Sequence, residues 1–334
     1  MKIGILGPAG TFSEDAAELW LKGRNENLVE MKYYETIFDV SESLLRKEVD
    51  YGIVPIENSL EGSVGETLDV LSSENREEIQ IVGEVLVPIN ICLLANLSLC
   101  GAPPRDPASP VRAYKKALPK KHREAPQSLA KIKTVVSHPH ALAQCKPFIR
   151  EQMKGVEVKS VESTASAAKL ASQSEEIAAL ASKAAAQKYG LNILEENVQS
   201  GALPREPASP ERGYTGSVTR FVVLSSSASG IKTAPTPTGR DKTSVLIYLK
   251  DYPGALYDVL GEFAQRGINL TKIESRPSKR ALGDYMFHID CEGHIEEEKV
   301  KRALDAIARE VAMLKILGAY PMAISNNDEK HENT

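Results

Sequence analysis

The chain has little with which to bind nucleic acid, cross a membrane or build a disulfide frame. Its 41 Lys and Arg are set against 45 Asp and Glu, a formal charge of −4. That balance offers no basic surface to nucleic acid or anionic lipid. No run reaches the ~18–20 apolar residues that a membrane-spanning helix needs. The richest stretch, Val85 to Leu99, is interrupted by Pro88, Asn90 and Asn96. The opening MKIGILG enters a strand-like run with no basic leader, which argues against a secretory signal. Cys92, Cys100, Cys145 and Cys291 are scattered without C-x-x-C spacing. Free thiols in a reducing cytoplasm are expected, not a disulfide or zinc framework. G-x-G-x-x-G is missing after the first strand and G-x-S-x-G is missing throughout, so neither a dinucleotide fingerprint nor a nucleophile elbow is present. His138 and His140 stand near Cys145 without a further ligand at metal-site spacing.

What is present is an α/β chain. At 334 residues, with 42% hydrophobic and 26% charged residues, two or three globular domains are expected. Residues 1–225 alternate short apolar runs with helical periodicity, the pattern of strands covered on both faces. Strands are predicted at Lys2–Leu6, Gly52–Ile56, Ile81–Leu94, Lys133–Ser137, Ile177–Ala181 and Val218–Leu224, with helices at Phe12–Lys22, near Gly65–Ser72, from His138, and at Lys183–Tyr189. Gly190 is placed to stop the last of these. Residues 226–241, SSASGIKTAPTPTGRD, read as a linker. Residues 242–322 follow a βαββαβ, ferredoxin-like pattern, with strands at Thr243–Lys250, Ile268–Ser275, Tyr285–Asp290 and Met313–Ala319 and helices at Ala255–Arg266 and Glu296–Glu310. Residues 323–334 form a polar tail. Two Pro-rich segments, GAPPRDPASPVRAY (101–114) and GALPREPASPERGY (201–214), agree at ten of fourteen positions. Neither has apolar residues for a core of its own, so both read as surface loops inserted in the first domain.

Polar residues gather where strands run into helices. In GPAGTFSEDA (7–16), Thr11 and Glu14 have capping-box spacing. In PIENSLEGSVGETLDVL (55–71), Glu57, Asn58 and Ser59 follow a strand and Ser63 can cap the next helix. In SHPHALAQC (137–145), Ser137 is a cap candidate, with Gln144 on the same face about two turns on. STASAAKLA (163–171) offers Ser163 and Thr164 at another helix start, and SVTRFVVL (217–224) puts Thr219 and Arg220 at the head of a strand. Helix N-termini gathered at one edge of an α/β sheet favour a small anionic ligand carrying one carboxylate or two.

Taken in order, GPAGTFSEDAA, YGIVPIENSLEGSV, SHPHALAQC, ESTASAA, AAAQKYGLNILEENVQ and VTRF resemble prephenate dehydratases, and PGALYDVL with ESRP resembles the ACT domain of that family. The resemblance implies a type II periplasmic-binding-protein-like catalytic domain of two lobes (about 1–82 with 219–225, and 83–218) enclosing an active cleft, followed by the ACT domain. It implies conversion of prephenate to phenylpyruvate in phenylalanine synthesis, with no metal or organic cofactor. By the same resemblance Thr219 is the catalytic hydroxyl, assisted by Asn58, Ser137 and Gln144. Thr11, Glu57, Ser163, Thr164 and Arg220 line or support the pocket, and Phe221 packs behind it. L-Phenylalanine is the implied effector, held between paired ACT domains by Gly254, Ala255, Leu256, Glu274, Ser275 and Arg276. A cytoplasmic homodimer or homotetramer follows. His140 stands where the family carries Gln, and Ser217 and Val218 stand where it carries Asn before T-R-F. Arogenate dehydration and non-catalytic amino-acid sensing are the competing readings.

Overall fold

The computed structural model describes residues 1–22, 28–96, 131–199, 217–227, 236–278 and 285–323. The two Pro-rich repeats, residues 228–235 of the linker and residues 324–334 of the tail lie outside the described residues.

The chain forms two compact units, Met1–Leu6 with Ala16–Leu86 and Thr219–Thr334, and Gly7–Asp15 with Val87–Val218. Sequence reading groups residues 7–15 with the first lobe. The structure gives them to the second unit, where Ser182 Oγ donates to the Gly10 carbonyl at 3.3 Å and the Tyr189 hydroxyl donates to the Ala9 carbonyl at 2.9 Å.

The first 89 residues lay down β1 (Lys2–Leu6), α1 (Phe12–Leu21), β2 (Glu30–Tyr34), α2 (Ile37–Leu45), β3 (Tyr51–Asn58), β4 (Gly62–Ser63), α3 (Gly65–Ser72) and β5 (Ile79–Ile89). Helix α2 starts at a full capping box, Thr36 with Asp39, which satisfies amides that no helical carbonyl can reach. The single strand expected over 81–94 is broken: β5 ends at Ile89 and β6 (Cys92–Ala95) starts anew. Gln199 seals the break, accepting from the Ile91 amide at 2.9 Å and donating to the Ile89 carbonyl at 2.8 Å.

The second unit continues with β7 (Thr134–Ser137), α4 (Pro139–Gln144), α5 (Lys146–Gln152), β8 (Glu157–Ser160), α6 (Thr164–Ala171), β9 (Ile177–Ala181), α7 (Lys183–Tyr189) and β10 (Asn192–Glu195). Its sheet runs β10-β6-β9-β7-β8, over a core of small side chains such as Ala167, Ala168, Ala179 and Ala185. Gly190 ends α7 in the left-handed conformation, φ 65°, as a helix-stopping glycine does.

Strand β11 (Ser217–Ser226) enters the first unit between β3 and β5, giving the order β2-β1-β3-β11-β5 with β4 beside β3. Residues 241–321 supply β12 (Asp241–Tyr248), α8 (Ala255–Ala264), β13 (Leu270–Pro277), β14 (Tyr285–Glu292), α9 (Glu298–Glu310) and β15 (Met313–Pro321). They make the expected βαββαβ sheet, ordered β13-β14-β12-β15. Alternate residues of β12 serve different cores. Val245 and Ile247 meet Val259, Phe263 and Ile307 of the two helices. Leu246, with Leu317 and Tyr320, joins the core that holds Val54, Ile56, Val222 and Leu224. The C-terminal sheet is thus fused by its open face to the β3–β11 sheet. Gly318 allows the approach, since a Cβ there would fall 2.1 Å from the Ile81 carbonyl oxygen. None of the described helices is long and apolar enough to cross a membrane.

Candidate functional site

The site in the first unit is built where β3 and β11 end side by side. The strands are antiparallel, with Thr219 opposite Asn58 and Arg220 opposite Glu57, and the register then shifts so that Phe221 faces Pro55. Ile56 is therefore an extra residue on β3, a β-bulge. Pro55 accounts for its position. It has no amide to give to a ladder, and its carbonyl accepts from Thr67 Oγ1 at 2.5 Å.

Opposed residues of a strand pair share a face, and neighbours along a strand point to opposite faces. Thr219 and Asn58 share one face. Asn58 Nδ2 donates to Thr219 Oγ1 at 2.9 Å. The amide cannot be turned over, because Asn58 Oδ1 accepts from the Leu60 and Glu61 amides at 2.9 and 3.2 Å. Thr219 Oγ1 is consequently an acceptor toward Asn58, and its own proton is kept for another acceptor. Thr219 is 9% exposed. Phe221 is buried behind it.

Arg220 and Glu57 occupy the other face. Arg220 lies 3.2 Å from Glu57, 3.5 Å from Glu84 and 2.6 Å from Asp290. Lys242 holds Glu84 at 2.8 Å, and Lys272 holds Glu57 at 2.7 Å and donates to Ser63 Oγ at 2.6 Å. Ser244 donates to Asp290 at 2.6 Å. Arg220, Lys242 and Lys272 thereby balance Glu57, Glu84 and Asp290 one for one. Burial alone would raise the Asp290 carboxyl; the Arg220 and Lys242 charges and the Ser244 hydrogen bond outweigh it and hold the carboxyl below its ordinary range. Burial likewise opposes the Arg220 charge, and Asp290, Tyr320, Glu84 and Glu57 together fix it on. Arg220 and Glu57 support the Thr219–Asn58 pair from behind, and the Arg220 guanidinium is committed to protein carboxylates.

Sequence reading missed Glu84, Lys242, Lys272 and Asp290. A faint signal existed, because Glu84 is the one charged residue of the apolar strand IQIVGEVLVPI. The Ser63 cap is corrected: Val64 starts α3 without a side-chain cap, and Ser63 Oγ donates to Glu274 at 3.0 Å. Of the ACT-site candidates, Gly254 opens α8 at φ 96°, a conformation that suits glycine. Ala255 and Leu256 follow in the first turn. On β13, Glu274 turns to Ser63, and Arg276 lies 3.7 Å from Asp69. Ser275, between them, is exposed on the opposite face.

The second unit holds the remaining candidates. Ser163 caps α6, accepting from the Ser166 amide at 3.0 Å, and Thr164 is the first residue of that helix. Thr11 immediately precedes α1, and Glu14 reaches the Gly10 amide, one residue before the expected one. The cap of α4 is His138, not Ser137. Ser137 is fully buried and donates to the Leu180 carbonyl at 2.6 Å, tying β7 to β9. Gln144 is the last residue of α4. Cys92, Cys145 and Cys291 are free and buried. Burial pushes the Cys145 and Cys291 thiols up to about 12, far from reactive thiolates. Among the described residues no group of three or more His, Cys, Asp or Glu is placed to hold a metal ion.

Comparison with known proteins gives these residues a context. A family model described as prephenate dehydratase matches residues 3–229, and one described as ACT domain matches residues 243–309. A bifunctional chorismate mutase/prephenate dehydratase of Aquifex aeolicus is 38% identical over 324 residues, covering 97% of this chain and 74% of its own. A prephenate dehydratase of Methanocaldococcus jannaschii is 37% identical over 318 residues, covering 94% of this chain and 96% of its own. The crystal structure of a prephenate dehydratase from Arthrobacter aurescens in complex with L-Phe is similar, with a TM-score of 0.72 and 31% identity, and the match covers 96% of this chain and 90% of that one.

Proposed function

The chain belongs to the prephenate dehydratase family, and from that premise we propose that it converts prephenate to phenylpyruvate with Thr219 as the group that assists departure of the ring hydroxyl. The carrying observation is the polarity of one hydrogen bond: Asn58 donates to Thr219 Oγ1 at 2.9 Å, so the threonine proton is not spent on Asn58 and is left for another acceptor.

Prephenate is a dianion whose ring becomes aromatic once carbon dioxide and hydroxide leave. The driving force is in the substrate, and the enzyme has to hold the two carboxylates and stabilise oxygen as it departs. A threonine hydroxyl is too weak an acid to give up its proton beforehand. Donation that strengthens as the C–O bond lengthens favours the transition state over the ground state. Asn58 sets the hydroxyl's direction, while Arg220 and Glu57 brace the strand ends that carry the pair. From the second unit, Gln144 assists the reaction and Thr11, Ser163 and Thr164 bind substrate, while Ser137, whose buried hydroxyl is already given to the Leu180 carbonyl, acts only by tying β7 to β9. The Ser163 cap leaves α6 with a helix start suited to an anion.

L-Phenylalanine is the effector, acting through the ACT domain at Gly254, Ala255, Leu256, Glu274, Ser275 and Arg276. The phenylalanine complex of the Arthrobacter relative supports this. Edge strand β13 exposes Ile273, and helix α8 exposes Tyr257. Apolar groups at an unpaired edge favour pairing of ACT domains, and a homodimer or homotetramer is the assembly. The buried free thiols suit the cytoplasm.

The test is turnover of prephenate, followed by phenylpyruvate formation, with and without phenylalanine, and with arogenate as the alternative substrate. Phenylpyruvate release that phenylalanine suppresses is the expected result. Binding of phenylalanine without turnover of either substrate would leave a sensor in place of an enzyme.

A further inference from the structure

The ACT sheet does more in this chain than carry an effector. Two of its side chains reach the β3–β11 strand ends at the residues next to the Thr219–Asn58 pair. Asp290 of β14 meets Arg220 at 2.6 Å, and Lys272 of β13 meets Glu57 at 2.7 Å. Arg220 is bonded in sequence to Thr219, and Glu57 to Asn58. The Arg220–Asp290 contact is shielded, both side chains being 5% exposed, and in the other contact Lys272 is 7% and Glu57 31% exposed. Asp290 is also anchored within the ACT sheet, and Lys272 has a second hold on β4 beside Glu57. Asp290 takes a hydrogen bond from Ser244 at 2.6 Å, and Lys272 also donates to Ser63 at 2.6 Å.

We propose that Asp290 and Lys272 are positioning residues for the dehydration step, acting through Arg220 and Glu57 to hold Thr219 and Asn58 in register. The inference rests on the function proposed above and adds to it that the ACT sheet completes the catalytic strand pair within one chain.

The mechanism is geometric. The bulge at Ile56 leaves the end of β3 with a disturbed ladder, and bulged strand ends bend readily. β4 pairs with Glu57 and Asn58 along the outer edge of β3, and the pair of clamps on the far face adds the hold that keeps them opposite Arg220 and Thr219. Loosening a clamp lets the hydroxyl drift from the line of the departing oxygen. A displacement on the order of 1 Å costs up to about 10²-fold in rate. The loss falls on kcat, because the alignment matters only as the bond breaks.

The experiment compares D290N, K272M and K272R with the wild type in the full-length protein, measuring kcat, KM for prephenate and melting temperature. D290N keeps an acceptor for Ser244 while removing the charge that faces Arg220, and K272M keeps the apolar stem. The expected result is a kcat about tenfold lower or more in D290N and K272M, KM within about threefold of wild type, and recovery of most of the loss in K272R. If D290N does not fold, the Lys272 pair decides alone. A wild-type kcat in K272M, or a loss that K272R does not restore, overturns the proposal. Absence of prephenate turnover in the wild type itself overturns the proposed function and this inference with it, which separates the two failures.

Discussion

Asn58 donates to the hydroxyl of Thr219 across the ends of two antiparallel strands at 2.9 Å, and two backbone amides, Leu60 and Glu61, prevent its amide group from turning round. The hydroxyl can then give its proton only to something beyond Asn58.

Thr219→Val keeps the shape and removes the donor. Turnover of prephenate is expected to fall about 10²–10⁴-fold, the usual worth of such assistance, with a much smaller change in KM. Steady-state kinetics check this, and a near-normal kcat removes Thr219 from the role.

Asn58→Asp tests the polarity of the bond. The carboxylate still accepts from the Leu60 and Glu61 amides, but its other oxygen accepts from Thr219 and consumes the proton. A kcat as low as that of T219V is expected in a protein that still folds. The control is the circular dichroism melt, which should move little.

His288 makes the molecule acid-sensitive. Its ring is buried and its Nε2 sits 2.9 Å from Ser72 Oγ, whose own proton goes to the Leu68 carbonyl, so Nε2 carries the hydrogen. Burial lowers the imidazole from 6.5 to about 4, with Lys272 and Arg276 assisting and Asp290 and Asp69 opposing. Between these two values the unfolded chain binds the proton and the folded one does not. Stability from this group is complete above pH 6.5 and is lost as pH falls to about 4, by roughly 3 kcal/mol. Asp290 is also depressed, from 3.8, so its contribution persists through that window and declines below it. Urea unfolding across pH should show the steep segment, and H288Q should flatten it.

Arg220→Met leaves Glu57, Glu84 and Asp290 facing one another with only Lys242 and Lys272 to balance them. Breaking a buried charge set from one side costs about 3–5 kcal/mol. Denaturant unfolding should register that loss, and R220K should recover part of it, because an ammonium cannot span the positions a guanidinium reaches.

Gly318→Ala probes the fusion of the two sheets. The added methyl would fall 2.1 Å from the Ile81 carbonyl oxygen, and backbone cannot swing aside as a side chain can. A destabilisation of roughly 1–3 kcal/mol or more is expected, with thermal melting as the readout.

Much of this was legible in the residues. Apolar runs marked β1, β9 and β11 because buried strands of an α/β sheet must be apolar. Ser163 and Gly190 marked the start of α6 and the stop of α7 because their chemistry is local. Thr219 and Asn58 stood out as a pair of candidates through the family motifs. What stayed hidden depends on partners far along the chain. Ser137 and Ser63 look like helix caps, yet each hydroxyl finds a stronger claim elsewhere, at Leu180 and Glu274. Glu84, Lys242, Lys272 and Asp290 are charges in strands far apart along the chain, and only the fold shows that they meet Arg220 and Glu57 in one balanced set. β8 was missed because all four of its residues are exposed, so no alternation appears.

The extra residue at Ile56 has chemical meaning as well as a geometric one. Counting back from the Phe221–Pro55 pair without interruption, an even ladder would seat Glu57 across from Thr219. A carboxylate in that seat accepts and never donates, and it would draw the hydroxyl's hydrogen inward. By lengthening one strand by a single step, the chain exchanges an acid for an amide at the place where that choice decides which way a proton points.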